Sequence, residues 1–124
     1  MIEGYISNSG APVIKIKVKG RRDEIIVEGI LDTGFDGYLC LPIPIAVSLG
    51  LELIKVVRTE LADGTILEDE LVFAGEAEWD GSMAGIDILL TRADDVLLGT
   101  GFLRGYQVRL DYGDNTVRIE RVGG

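Results

Sequence analysis

The sequence of 124 residues contains no histidine, a single cysteine and 3 prolines. The absence of histidine excludes Ser-His-Asp and Cys-His nucleophile systems, because in both an imidazole takes the proton of the nucleophile. It also excludes the zinc sites that are built from His and Cys together. Any acid–base chemistry must therefore be carried by Asp, Glu, Lys or Tyr side chains.

The single cysteine, Cys40, can form no disulfide within the chain, which fits a reducing compartment. No apolar run approaches the roughly 20 residues of a membrane span, and no secretory leader pattern opens the sequence. We therefore expect a cytoplasmic protein that does not associate with a membrane.

Basic charge is also scarce, since 12 Lys and Arg residues stand against 21 Asp and Glu residues and give a net charge of −9. A charge of this sign repels the phosphates of nucleic acids, so nucleic acid is not expected as a partner. Three lysines (Lys15, Lys17 and Lys19) alternate with apolar residues. We interpret them as the wet face of a strand rather than as a binding patch.

Short apolar runs separated by turn residues predict a mainly β fold with a closed or partly closed sheet. The chain length leaves room for a single domain, residues 1–124. Helix is predicted only at 45–49, which Gly50 ends, and for one or two turns within 100–105. Gly75 is predicted to mark a bulge. The predicted strands are 14–18, 25–31, 38–41, 56–61, 65–73, 86–90, 96–98, 106–110 and 116–121.

The most informative segment is Ile30-Leu31-Asp32-Thr33-Gly34, in which an acidic residue follows an apolar strand and precedes a glycine turn. An ordinary Asx turn at a strand end would look the same, and the Asp-Thr-Gly tripeptide alone occurs by chance in roughly one to two per cent of chains this long. Here, however, it is followed in order by a short strand at 38–42, a hairpin around Asp63-Gly64, and Leu97-Leu98-Gly99. This order makes the motif more specific.

At these residues the sequence resembles the retropepsin-like aspartic proteases, especially the small bacterial predicted aspartyl proteases. The resemblance spans nearly the whole chain. It implies a small, closed acid-protease β barrel with one or two short helices. It also implies a homodimer in which each subunit lends one aspartate to a shared site beneath a hairpin flap. The residues that carry it are Asp32-Thr33-Gly34-Phe35, Leu39-Cys40-Leu41-Pro42, Ala62-Asp63-Gly64 and Leu97-Leu98-Gly99.

The resemblance also implies roles for single residues. Asp32 would be the catalytic aspartate, Thr33 would make a hydroxyl contact across the subunits beneath it, and Gly34 would let backbone approach the carboxylates. The hairpin at Ala62-Asp63-Gly64 would be the flap over the substrate. The segment Leu98-Gly99 would cross close to the active strand.

The chemistry of such a site agrees with the absence of histidine. Two carboxylates a few ångströms apart cannot both ionise cheaply, so they share a proton and titrate as a coupled pair. The ionised partner acts as a general base on water, and the protonated partner polarises the scissile carbonyl. The predicted function is an aspartic endopeptidase that acts on peptides or unfolded proteins and needs no metal or cofactor.

Two alternatives stay open, and two departures from the family pattern support the first of them. Phe35 stands where many aspartic proteases have Ala, Ser or Thr, and Thr100-Gly101 stands where viral members carry Arg-Asn or Arg-Asp. The first alternative is a catalytically inactive dimer of the same fold that serves as a peptide-binding or assembly module. The second is a different carboxylate hydrolase, such as a glycosidase with two acids in one chain.

Several other residues receive structural interpretations. Asp36 is predicted to be a solvated turn residue, Cys40 a buried core residue, and Trp79 a packing residue rather than a substrate platform. The acidic runs at 68–70 and 94–95 lack the spacing of a calcium loop, so no metal site is predicted there.

Overall fold

The chain folds into a mainly β structure. The computed structural model describes residues 1–123, apart from the side chains of residues 59–60 and 66–69. Within this part of the chain, no helix is long and apolar enough to cross a membrane. Its elements are β1 (Ile2–Ile6), β2 (Pro12–Lys19), β3 (Glu24–Leu31), β4 (Leu39–Pro42), α1 (Ile43–Leu49), β5 (Glu52–Glu60), β6 (Ile66–Trp79), β7 (Ser82–Thr91), β8 (Val96–Leu98), a 3-10 turn (Thr100–Phe102), β9 (Tyr106–Asp111) and β10 (Thr116–Arg121).

The strands form a hydrogen-bonded sheet that closes on itself. Their order is β5-β6-β7-β4-β8-β3-β2-β1-β10-β9, and β2 also pairs with β6. This additional pairing, Val18 with Ala77 and Lys19 with Glu76, closes β6, β7, β4, β8, β3 and β2 into a barrel. The predicted closed β barrel is confirmed.

The barrel core is built by the strand alternation that the sequence shows. In β2, Ile14, Ile16 and Val18 are buried, whereas Lys15 and Lys19 between and beside them are exposed. Because successive side chains of a strand point to opposite faces, this pattern buries one face and leaves the other in water. The interpretation of the lysines as a wet strand face is therefore confirmed for Lys15 and Lys19, whereas Lys17 is half-buried and forms salt bridges with Glu24 and Glu78 at 3.4 and 3.6 Å.

The α-helix α1 ends where the sequence predicts. Gly50 adopts the left-handed conformation (φ 70°), and its N–H donates to the carbonyls of Ala46 and Val47 at 3.1 and 3.2 Å. The helix begins earlier than predicted, at Ile43, so Pro44 lies in its first turn. Proline is tolerated there, since the N–H that it lacks would have no partner within the helix.

The prediction of a bulge at Gly75 is wrong. The pairing of β6 with β7 runs without a shift through Gly75, which faces Ile86. Gly75 instead leaves room for a side chain, because an added Cβ atom would lie 2.6 Å from Cδ1 of Ile88. The irregularities lie instead in the pairing of β5 with β6, at residues 53–55 and 58–60.

The strands β5 and β6 extend beyond the barrel as a two-stranded arm. β6 pairs with β7 only from Val72 to Trp79, so the described partner of its earlier residues is β5. At the tip, the N–H of Gly64 donates to the carbonyl of Leu61 at 2.9 Å, and Gly64 has a φ of 88°. The predicted Asp-Gly hairpin turn is confirmed, because the turn needs a residue with positive φ at this position.

Candidate active site

Asp32 lies where three strands meet. It follows the last residue of β3, Leu31, which pairs in parallel with Leu98 of β8. On its other side Leu98 pairs with Leu39 of β4 in the antiparallel direction. Since β8 lies between β3 and β4, the loop from Asp32 to Tyr38 must cross the end of β8. The backbone N–H of Asp32 donates to the carbonyl of Leu98 at 2.9 Å, which extends the pairing to the aspartate itself.

The turn after β3 holds the Asp32 carboxylate in a defined orientation. Oδ1 of Asp32 accepts a hydrogen bond from the N–H of Gly34 at 2.9 Å, and the carbonyl of Asp32 accepts one from the N–H of Phe35 at 3.2 Å. A Cβ atom added to Gly34 would lie 3.2 Å from that Oδ1. Asp32 is half-buried, and Thr33 and Gly34 are exposed. The carboxylate is thus fixed by its own turn at the surface of a single chain.

The rest of the loop is fastened to the segment that follows β8. Three loop carbonyls accept hydrogen bonds from consecutive backbone N–H groups of that segment, and one of them also accepts from a hydroxyl. The pairs are Gly99 N to Tyr38 O (2.8 Å), Thr100 N to Phe35 O (2.8 Å), Thr100 Oγ1 to Phe35 O (3.4 Å) and Gly101 N to Gly37 O (2.9 Å). These bonds set the position of the loop within the chain, and residue 100 contributes to them as a threonine.

Gly99 is the point of closest approach between the two segments. A Cβ atom added to Gly99 would lie 2.2 Å from the carbonyl oxygen of Gly37 and 2.7 Å from Cδ2 of Phe35. Real Cβ atoms do not approach backbone this closely, so the crossing requires glycine. The structure therefore places Gly99 and Leu98 in contact with the Asp32 loop.

An apolar row crosses the sheet on the face opposite the barrel core. Its members are neighbours across β3, β8, β4, β7 and β6, and those on the first four strands are half-buried. The first lies two residues before Asp32 in the sequence, so the row starts beside the carboxylate and runs toward the arm. Apart from the cysteine, sequence reasoning missed this row. Its members are Ile30, Leu97, Cys40, Leu89 and Val72.

Cys40 belongs to this row and not to the core. Its neighbours Leu39 and Leu41 take the inward positions and are fully buried, whereas Cys40 is half-buried on the opposite face. The prediction of a core cysteine is therefore wrong. Burial raises the pKa of the Cys40 thiol, and the negative charge of Glu70 raises it further.

We expect the raised pKa to slow the reaction of Cys40 with thiol reagents, because the thiolate is the reactive form. At pH 8, the folded protein should react with a maleimide or an aromatic disulfide at least about tenfold more slowly than the same protein in denaturant. Glu70→Gln should increase the rate in the folded protein, since it removes the negative charge. Equal rates in the folded and denatured protein would contradict this assignment.

The predicted flap residues Ala62, Asp63 and Gly64 are exposed at the tip of the arm. Hydrogen bonds from the Thr65 side chain and from its backbone N–H lower the pKa of Asp63; the N–H lies 2.9 Å from Oδ1. Among the described residues, no hydrogen bond joins this tip to the Asp32 loop. The structure thus forms the hairpin, and its closure over a substrate stays a prediction.

The remaining interpretations concern packing and charge. Trp79 stacks on Phe102 with a centroid distance of 4.7 Å, so the packing interpretation of Trp79 is confirmed. Asp36 and residues 94–95 are exposed, as expected for solvated acids. Of the other acidic run, the side chains of residues 68 and 69 lie outside the described residues. No group of three or more candidate metal ligands is found among the side chains that the structure describes.

Comparison with solved structures places this architecture among known folds. A retropepsin-like aspartic protease from Rickettsia conorii superposes with a TM-score of 0.68 and 20% identity, over 94% of this chain and 86% of that one. EIAV protease, in complex with the inhibitor HBY-793, gives 0.53 and 16% identity over 79% and 89%. The retroviral protease-like domain of Ddi1 from Leishmania major gives 0.50 and 12% identity over 89% and 90%. No protein-family model and no curated protein sequence matches the chain.

The chain therefore has the fold of the retropepsin-like aspartic proteases. At these identities the likeness concerns the fold, so the function must be argued from the residues of this chain.

Proposed function

We propose that the protein is an aspartic endopeptidase whose active site forms when two copies pair about a two-fold axis and bring their Asp32 side chains together. One observation carries the proposal: Asp32 is held half-exposed at the crossing of β3, β8 and β4 by the Gly34 N–H and the Leu98 carbonyl. Each chain contributes one such carboxylate. A symmetric dimer supplies the second.

The proposed pair catalyses hydrolysis with one shared proton. The ionised Asp32 accepts a proton from a water molecule as the water oxygen attacks the scissile carbonyl carbon. The protonated Asp32 of the other copy gives its proton to the carbonyl oxygen, which forms a neutral tetrahedral diol. Collapse of the diol breaks the C–N bond, and the proton that came from the water moves to the leaving nitrogen. The second carboxylate regains a proton from the diol hydroxyl, so the pair again holds one proton.

The surroundings of Asp32 support an extended peptide as the substrate. The half-buried apolar row beginning at Ile30 can accept apolar side chains next to the scissile bond. The row ends on β6 at Val72, at the base of the arm, so it leads from the carboxylate to the hairpin. A peptide lying along this row would cover its apolar side chains. Because strand-like edges bind extended backbone, unfolded segments are preferred to folded domains.

Incubation of the purified protein with unfolded casein between pH 3 and 7 tests the proposal. We expect cleavage of casein and little cleavage of a stably folded protein, since a folded domain does not offer an extended segment. Sedimentation should show a dimer at the concentrations that give activity. Binding of casein without any cleavage would favour the inactive peptide-binding module. An active enzyme that stays strictly monomeric would rule out the shared pair.

A further inference from the structure

We infer that Phe35 is a positioning residue for Asp32, which acts by packing its ring against the backbone of Gly37 and Gly99. This inference rests on the proposed function for its effect on turnover. The ring itself is half-buried in the loop that follows the aspartate. In this chain it stands directly after Gly34, so any movement of Phe35 displaces the turn that holds the carboxylate.

The Phe35 ring packs closely against two glycines, Gly37 and Gly99. The three atoms nearest to a Cβ atom added at Gly37 all belong to the Phe35 ring: Cε1 and Cζ at 2.7 Å and Cε2 at 3.6 Å. An added Cβ at Gly99 would lie 2.7 Å from Cδ2 of the same ring. The ring thus occupies the space that side chains at residues 37 and 99 would fill. An aromatic residue and two glycines at these positions form one packing unit.

The backbone of Phe35 links this packing unit to the catalytic turn. Its N–H donates to the carbonyl of Asp32 at 3.2 Å, and its carbonyl accepts from the N–H and the Oγ1 of Thr100 at 2.8 and 3.4 Å. A ring that packs against both Gly37 and Gly99 therefore also supports the position of the Asp32 turn relative to the crossing segment. Catalytic groups must be held to within about 0.5 Å of their productive geometry, so loss of this support should lower the rate of the chemical step.

Gly37 offers a size-complementation test. Its backbone is not among the described positive-φ positions, so Ala is allowed there, and an added methyl group meets first the Phe35 ring. We expect Phe35→Ala and Gly37→Ala each to lower kcat at least about tenfold with KM changed by less than about twofold. If the two substitutions acted independently, the kcat of the double variant Phe35→Ala/Gly37→Ala would fall by the product of the two single reductions. We expect its kcat to be at least about fivefold higher than that, because the methyl group added at residue 37 enters the space that the ring leaves. Independent, multiplicative effects would overturn the inference.

Amide hydrogen exchange gives a readout that does not depend on activity. In Phe35→Ala, the Thr100 N–H should exchange at least about tenfold faster than in the wild type, because this N–H donates to the Phe35 carbonyl. The exchange rates of the β10 amides serve as the reference, since they report any general loss of stability. The double variant should recover most of this protection. If the wild-type protein cleaves nothing, the proposed function fails, while the exchange data still test the packing unit. Unchanged Thr100 exchange in Phe35→Ala would refute the role of the ring.

Discussion

The variant Asp32→Asn is expected to cleave unfolded casein at least about 1,000-fold more slowly than the wild-type protein at every pH between 3 and 7. A carboxamide cannot accept the proton of the attacking water, and the chain has no histidine that could replace it. Initial rates of peptide release, measured at matched protein concentrations, give the comparison. Equal rates for the two proteins would remove Asp32 from the mechanism.

Asp36→Asn is the matched control for this prediction. Asp36 is an exposed acid of the same loop and loses the same charge on substitution. We expect its activity to stay within about twofold of the wild type, because surface substitutions outside such a site have small effects. Both variants should keep the wild-type fold, because the carboxamide oxygen that Asp32→Asn introduces can still accept the Gly34 N–H. A loss in Asp36→Asn as large as that in Asp32→Asn would show an effect of net charge and not of one catalytic group.

Gly99→Ala is expected to lower the free energy of unfolding by about 3 kcal/mol and to remove most of the activity. The added methyl group would lie 2.2 Å from the carbonyl oxygen of Gly37 and 2.7 Å from that of Phe35. Both atoms belong to the backbone of the Asp32 loop, so the strain cannot be relieved by rotating a side chain. The loop must move away from the crossing segment and carry the carboxylate with it.

Gly85→Ala is the control for backbone effects. Gly85 lies in β7, and a Cβ atom added there would meet nothing within 4 Å. Neither Gly85 nor Gly99 has a positive φ, so both tolerate the backbone of alanine. We expect Gly85→Ala to change the free energy of unfolding by less than about 1 kcal/mol in urea denaturation at the same protein concentration. Similar losses for the two variants would contradict the close approach at Gly99.

The parts of the fold that depend on local sequence could be predicted. Alternation in β2 predicts which side chains enter the barrel, because burial on one face imposes a period of two. Gly50 and Gly64 predict the helix end and the hairpin turn, since both positions need a positive φ. The motif around Asp32 could be located because a strand end, an acid and a glycine follow one another along the chain.

The parts that depend on contacts between distant strands could not be predicted. The sequence predicts a bulge at Gly75, whereas the pairing of β6 with β7 is regular there and Gly75 leaves room for the Ile88 side chain. The apolar neighbours of Cys40 predict a core position, yet Cys40 lies on the outer row. The apolar row joins residues that are distant in the sequence, and Phe35 meets Gly37 within an irregular loop. Neither contact follows a periodic pattern, so the sequence alone reveals neither of them.

The proposal that two chains share one catalytic pair is tested most directly by mixing subunits. Wild-type and Asp32→Asn chains, combined in equal amounts, unfolded and refolded together, pair at random if the dimer is symmetric. The account predicts that the mixture has about one quarter of the activity of the same total amount of wild-type protein, because an active site needs Asp32 from both chains. An activity of about one half would mean that each chain works alone, and would contradict the shared site.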